Sequence, residues 1–348
     1  MIETVFQTSE YIVKFEGTGS RDCFVTFQSA TKTPGLHRPG FGQVFFRKRN
    51  IDAFHVIPAE SDWYQHRQLS GICTAIRRNL ENYRRVITYG SSMGGYAAIN
   101  FAHLVGATDV IALSPQFTID PARAPDETRY FAAFERMPEG FVHDQPAGRD
   151  WSGIRVNLIY DPFDRLDAYQ AGLAQEIAGA RHLRLRHATH PVTAVLGTDA
   201  LKRFLTGYAD DGATTATTLV QDFRRDRRDS WVYWAALAQR YKASVARRLR
   251  CIETSIALDD ARPSTRIVKG NLCLQARRWQ DAIRAFNEAS VLDRRLSAPF
   301  VGKAKAFLAL RQADRAAAAV AEAGKRGAGP ETMAALNGML SRVGKVGA

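Results

Sequence analysis

The residues best suited to chemistry are Gly90-Ser91-Ser92-Met93-Gly94-Gly95, which follow the apolar run RRVITY and open the helical run YAAINFAHLV. The chain must turn sharply from strand to helix there. In a G-x-S-x-G elbow the outer glycines keep side chains out of the turn, and the central serine, here Ser92, stands over the helix N-terminus. A serine hydroxyl is a weak nucleophile at neutral pH, so it needs a histidine within hydrogen-bond reach and a carboxylate to fix that histidine's tautomer and stabilise its charged form. The backbone N–H of Met93, first in the helix, is expected to point at the oxyanion formed when Ser92 attacks a carbonyl. The pattern predicts acyl chemistry through a serine.

The elements around this turn alternate. Strand-like runs fall near 11–17, 23–29, 53–58, 85–90, 109–114, 154–160 and 182–187, with helical periodicity near 66–83, 94–105, 166–178 and 191–208. Such alternation predicts an α/β fold with a mostly parallel sheet. With the elbow in mid-sheet, residues 10–208 resemble the α/β-hydrolase superfamily. That resemblance implies a Ser-His-Asp triad in the chain order serine, acid, histidine, the acid after a late strand and the histidine after the last. Both places are occupied. IRVNLIY runs into Asp161-Pro162-Phe163-Asp164-Arg165-Leu166-Asp167, and HLRLR runs into His187-Ala188-Thr189-His190-Pro191. The superfamily's usual spacing favours Asp164 as the acid, with Asp161 and Asp167 as alternatives; Asp167 could cap the next helix and Asp161 could begin the turn. His190 is preferred over His187 because it falls in the loop, whereas His187 could still belong to the strand. The second oxyanion donor is expected from the backbone of Ser29 or Ala30, after the strand CFVTF. Gln28-Ser29 stands there in place of the superfamily's His-Gly pair.

Other residues are candidates for shaping the site. Trp63, Tyr64 and His66 follow the third predicted strand on the side where substrate enters, and are candidate substrate contacts. Segment 117–150, with Tyr130, Phe131, Phe134 and Phe141, reads as a cap over the site or as ordinary aromatic packing. Phe41 to Arg49 reads as a short surface helix ending in basic residues. The four cysteines are too sparse for a disulfide framework or a zinc site, and nothing matches a phosphate loop, a dinucleotide loop or a metal-binding pair, so no cofactor and no metal is expected.

Past about residue 210 the pattern changes. Residues 211–228 are expected to be a linker and 229–348 a second, all-α domain, because similarity recurs every 34 residues. Ala236, Gly270 and Ala304 share one position, Arg248, Ala282 and Ala316 a second, Ile252, Phe286 and Val320 a third, and Ser255, Ala289 and Ala323 a fourth. Small residues there let two helices of a hairpin approach, and the large apolar position fills the space between hairpins. The pattern resembles the tetratricopeptide repeat, best in 263–296. The chain carries a net charge of +13, nearly all of it beyond residue 210. That asymmetry predicts an acidic partner for the repeats, with no nucleic acid expected for lack of a motif. The N-terminus does not read as a secretory signal and no run is long enough to span a membrane, which predicts a cytoplasmic protein.

The expected function is that of a serine hydrolase cleaving a carboxylic ester or thioester, positioned by the basic repeats. The alternatives are an acyltransferase acting on glycan hydroxyls, and a non-catalytic adaptor that uses the fold as scaffold. With DWYQ ahead of the elbow and ALSPQF after it, the chain is also similar to bacterial hydrolases of polysaccharide biosynthesis.

Overall fold

A computed structural model describes residues 2–137, 140–144, 148–211, 215–240 and 242–344. Parts of the expected cap, linker and repeats (138–139, 145–147, 212–214, 241 and 345–348) therefore lie outside the described residues. The chain divides into two units, Met1–Arg227 and Arg228–Ala348.

The first unit begins with β1 (Ile2–Gln7), β2 (Tyr11–Glu16), β3 (Asp22–Phe27), α1 (Gln43–Lys48), β4 (Asp52–Pro58), α2 (Gln68–Arg78) and β5 (Arg85–Ser91). It continues through α3 (Met93–Asn100), α4 (Ala102–Val105), β6 (Asp109–Leu113), α5 (Phe131–Phe134), β7 (Arg155–Tyr160), α6 (Arg165–Leu173) and β8 (Arg181–Arg184), and ends with α7 (Thr198–Asp211) and α8 (Thr215–Asp226). The strands form one sheet in the order β1-β2-β4-β3-β5-β6-β7-β8. From β4 to β8 the pairing is parallel, and β1 and β2 join as an antiparallel hairpin on the β4 edge. The central strands are buried along their whole length, as a parallel sheet covered on both faces requires, and their sequences are accordingly near-continuous apolar runs.

Registers align the strand ends. Phe27 of β3 pairs with Gly90 of β5, and Ser91 pairs with Leu113 of β6. The segments after β3, β5, β6, β7 and β8 therefore emerge on one edge of the sheet, where open parallel sheets place their ligands.

Three sequence expectations change. The exposed strand β1 was not legible: its apolar residues are too few to signal it. Helix 191–208 divides into a short 3-10 turn at Val192–Ala194 and the later α7. The linker is a correction: α8 occupies most of 211–228, packs on α7, and buries Leu219 and Phe223. Its Thr and Ala content reads as loop, yet Leu219 and Phe223 lie four apart on one helical face.

The second unit consists of helices: α9 (Trp231–Arg240), α10 (Val245–Leu258), α11 (Pro263–Gln275), α12 (Trp279–Leu292), α13 (Ala298–Ala309), α14 (Ala313–Lys325) and α15 (Pro330–Gly344). Consecutive pairs α9–α10, α11–α12 and α13–α14 pack as hairpins, and α10, α12 and α14 begin at Val245, Trp279 and Ala313, in step with the 34-residue period. Gly270 on α11 and Gly302 on α13 are demanded by Phe286: a Cβ at either would lie 2.5 or 2.2 Å from its ring. Arg248, at a position where the other copies carry alanine, reaches across instead, its Nε donating to the Ala238 carbonyl at 2.7 Å. Among the described residues no helix is long and apolar enough to cross a membrane.

Candidate active site

Ser92 sits between β5 and α3 with φ 53 and ψ −120, a left-handed conformation that a non-glycine residue holds only when its surroundings enforce it. The enforcement is visible. The Ser92 N–H donates to the Leu113 carbonyl at 2.9 Å and its carbonyl accepts from Tyr96 N–H at 3.0 Å. A Cβ on Gly90 would lie 2.1 Å from the Gly94 oxygen, and one on Gly94 would lie 2.3 Å from the Phe27 oxygen. Both glycines are thus required by close backbone approach, as the elbow pattern predicts.

His190, in the loop after β8, places Nε2 3.0 Å from Ser92 Oγ. Its other ring nitrogen, Nδ1, lies 2.9 Å from Oδ1 and 3.1 Å from Oδ2 of Asp167. A carboxylate only accepts, so Nδ1 carries the proton and Nε2 is left to accept from the serine hydroxyl. Serine, imidazole and carboxylate form one hydrogen-bonded line.

The acid in that line is Asp167, which corrects the preference for Asp164. Asp164 is the N-cap of α6, its carboxylate accepting from the backbone of Leu166 and Asp167 at 3.2 Å each. Asp161 is fully buried and accepts the N–H groups of Phe163, His187 and Thr189 at 2.9, 2.9 and 3.0 Å, tying the two loops together. The expected jobs are therefore exchanged: Asp164 caps the helix, and Asp167, one turn in, faces the histidine. The His187 ring stacks on Phe163 with centroids 4.4 Å apart, and it is His190 that meets Ser92.

The candidate oxyanion donors are backbone groups of Met93 and of Ser29 or Ala30. Met93 begins α3, so its N–H is among the first-turn donors with no intrahelical acceptor. The chain after β3 presses on that turn, and Ser29 Oγ donates to the Ser91 carbonyl at 2.7 Å, which holds Ser29 and Ala30 beside the elbow. Gln116 Oε1 lies 3.5 Å from Ser92 Oγ; it was not legible as a site residue, because the β5–β6 pairing brings it to the serine.

The candidate substrate contacts behave differently. Tyr64 is fully buried and donates to the Gln28 carbonyl at 2.9 Å, so it supports the loop after β3. Trp63 is buried too, packed on Tyr96 and on Tyr130, with the latter ring 4.7 Å away. His66 places Nε2 3.5 Å from Asp62 Oδ2. Within 117–150, Tyr130, Phe134 and Phe141 pack against the core, whereas Phe131 is exposed. Tyr130 also places its hydroxyl 3.5 Å from His190 Nε2, and burial raises the pKa of that phenol. Arg129 beside it was not legible as a site residue, since its partner Asp167 lies 38 positions away. Among the described residues no group of His, Cys, Asp and Glu is arranged to hold a metal ion.

The chain is similar to the capsule O-acetyltransferase of Neisseria meningitidis serogroup A, solved in complex with caged gadolinium: 15% identity, TM-score 0.46, over 59% of this chain and 93% of that one. No family model matches the sequence, and no curated protein matches it.

Proposed function

We propose that the protein is a serine enzyme of the α/β-hydrolase type that cleaves a carboxylic ester or thioester, with Ser92, His190 and Asp167 as its triad. The observation that carries this reading is the unbroken line from Ser92 Oγ through His190 to Asp167, at 3.0 and 2.9 Å, at the carboxyl edge of the sheet. Ser92 Oγ attacks the acyl carbon while His190 Nε2 takes the hydroxyl proton. The Met93 N–H, with the backbone of Ser29 or Ala30, receives the developing oxyanion. His190 then gives the proton to the departing alcohol or thiol, leaving an acyl ester on Ser92. Water, deprotonated by His190, attacks that ester and releases the acid and the free serine. Asp167 keeps Nδ1 protonated and stabilises the imidazolium in both halves. No step calls on a cofactor.

Transfer to a sugar hydroxyl uses the same acyl-serine with an alcohol in place of water, so one experiment reads both. A p-nitrophenyl acetate burst followed by mass spectrometry should find one acetyl group on Ser92, and adding a sugar acceptor then partitions it between acetate and sugar ester. Absence of any acyl-serine would move the chain to the adaptor reading. The basic helical unit, a tetratricopeptide-like array in this reading, serves to capture an acidic partner, and such capture should weaken as salt rises through 0.15 M, where the Debye length is about 8 Å.

A further inference from the structure

The acid of the candidate triad is itself held by a cation. Arg129 Nη1 donates to Asp167 Oδ1 at 2.9 Å, the same oxygen that receives His190 Nδ1–H. The rest of the guanidinium is clamped by Glu127, Nε to Oε1 at 2.8 Å and Nη2 to Oε2 at 2.6 Å. Glu127 is fully buried and takes a further bond from Gln170 Nε2 at 3.2 Å. Gln170 stands one turn beyond Asp167 on α6 and accepts the Phe117 N–H at 2.7 Å. A chain of charge-assisted bonds thus fastens residues 117–130 to the helix that carries the acid. Burial opposes the charge on Arg129, but its bonds to Glu127 and Asp167 outweigh that and hold its pKa above the ordinary range.

We propose that Arg129 is a positioning residue for the Ser92–His190–Asp167 line, fixing the Asp167 carboxylate and offsetting its charge at His190, an inference that rests on the reading of Ser92 as nucleophile. The charges order themselves as His190, Asp167, Arg129, Glu127. The Asp167 carboxylate sets a negative field at the imidazole. Arg129 counters that field, and Glu127 moderates Arg129 from behind. The other groups near His190 are Ser92 and Tyr130 on the Nε2 side, and Asp161, whose carboxylate accepts the N–H of neighbouring Thr189. Tyr130, adjacent in sequence, packs its ring 5.2 Å from the Arg129 guanidinium, so one dipeptide meets His190 Nε2 through the phenol and Asp167 through the guanidinium.

The test is the pH dependence of fluorophosphonate labelling at Ser92 in the full chain. For Arg129→Met the acidic limb should move up by about one pH unit, since two uncompensated carboxylates then favour a protonated imidazole. Glu127→Gln should move it down, by roughly half a unit, because Arg129 then acts unmoderated. Arg129→Lys should restore the limb while labelling about ten-fold more slowly, a point charge lacking the planar fork. A merely structural role would not shift the two limbs in opposite directions. Coincident limbs in wild type, Arg129→Met and Glu127→Gln would overturn the proposal, and so would an unmoved Glu127→Gln limb should Arg129→Met not fold. A wild type that takes no label at all would overturn the nucleophile reading beneath it.

Discussion

Asp161, Asp164 and Asp167 share one turn and the start of one helix, yet each meets different partners. Spacing alone could not separate them: which carboxylate faces His190 depends on the rotation of α6 at its first turn, and Asp164 and Asp167 sit on that turn three positions apart. Asp164 caps α6, its carboxylate accepting the N–H groups of Leu166 and Asp167, so Asp164→Ala should cost about 1 kcal/mol of stability as a lost N-cap and leave acylation of Ser92 within a few-fold. Asp167→Asn should keep the fold and slow acylation by roughly 10³ to 10⁴, through the wrong imidazole tautomer. Burst kinetics and urea midpoints on the two variants read both effects. Ser92 and His190 were legible because an elbow and a post-strand loop announce themselves locally. Asp167 and Arg129 were not, because tertiary placement decides their roles.

At the scale of elements, periodicity found the parallel strands and the helical repeats, since both bury apolar residues on a fixed period. It missed β1, which is exposed, and α8, whose buried face is carried by two large residues. In the second unit the repeat columns have a visible physical meaning. Phe286 is fully buried between Gly270 on the preceding helix and Gly302 on the following one, so a single ring joins neighbouring hairpins. Phe286→Ala should therefore destabilise the helical unit by about 3 to 5 kcal/mol, read as a fall in its thermal or urea midpoint. A loss below 1 kcal/mol would show that the hairpins do not depend on this contact.

Across the whole molecule, one buried titratable group outside the triad bears on stability. His55 on β4 is completely buried, its Nδ1 2.7 Å from Thr26 Oγ1, and burial, with Lys14 and Arg47 adding to it, pushes its pKa down to about 3. A pKa lower in the folded than in the unfolded chain makes the neutral ring stabilising above about pH 6.5, a contribution lost progressively as pH falls toward 3. His55→Gln should flatten the dependence of the urea midpoint on pH across that window, by up to about 1.4 kcal/mol per pH unit; an unchanged slope would show that His55 is charged when folded. The central claim is the activation of one serine. Fluorophosphonate labelling of the intact protein, mapped by mass spectrometry beside Ser92→Ala, tests it most directly. The geometry predicts a single adduct on Ser92 that is absent from the variant; an unlabelled wild type, or an adduct on another serine, would contradict it.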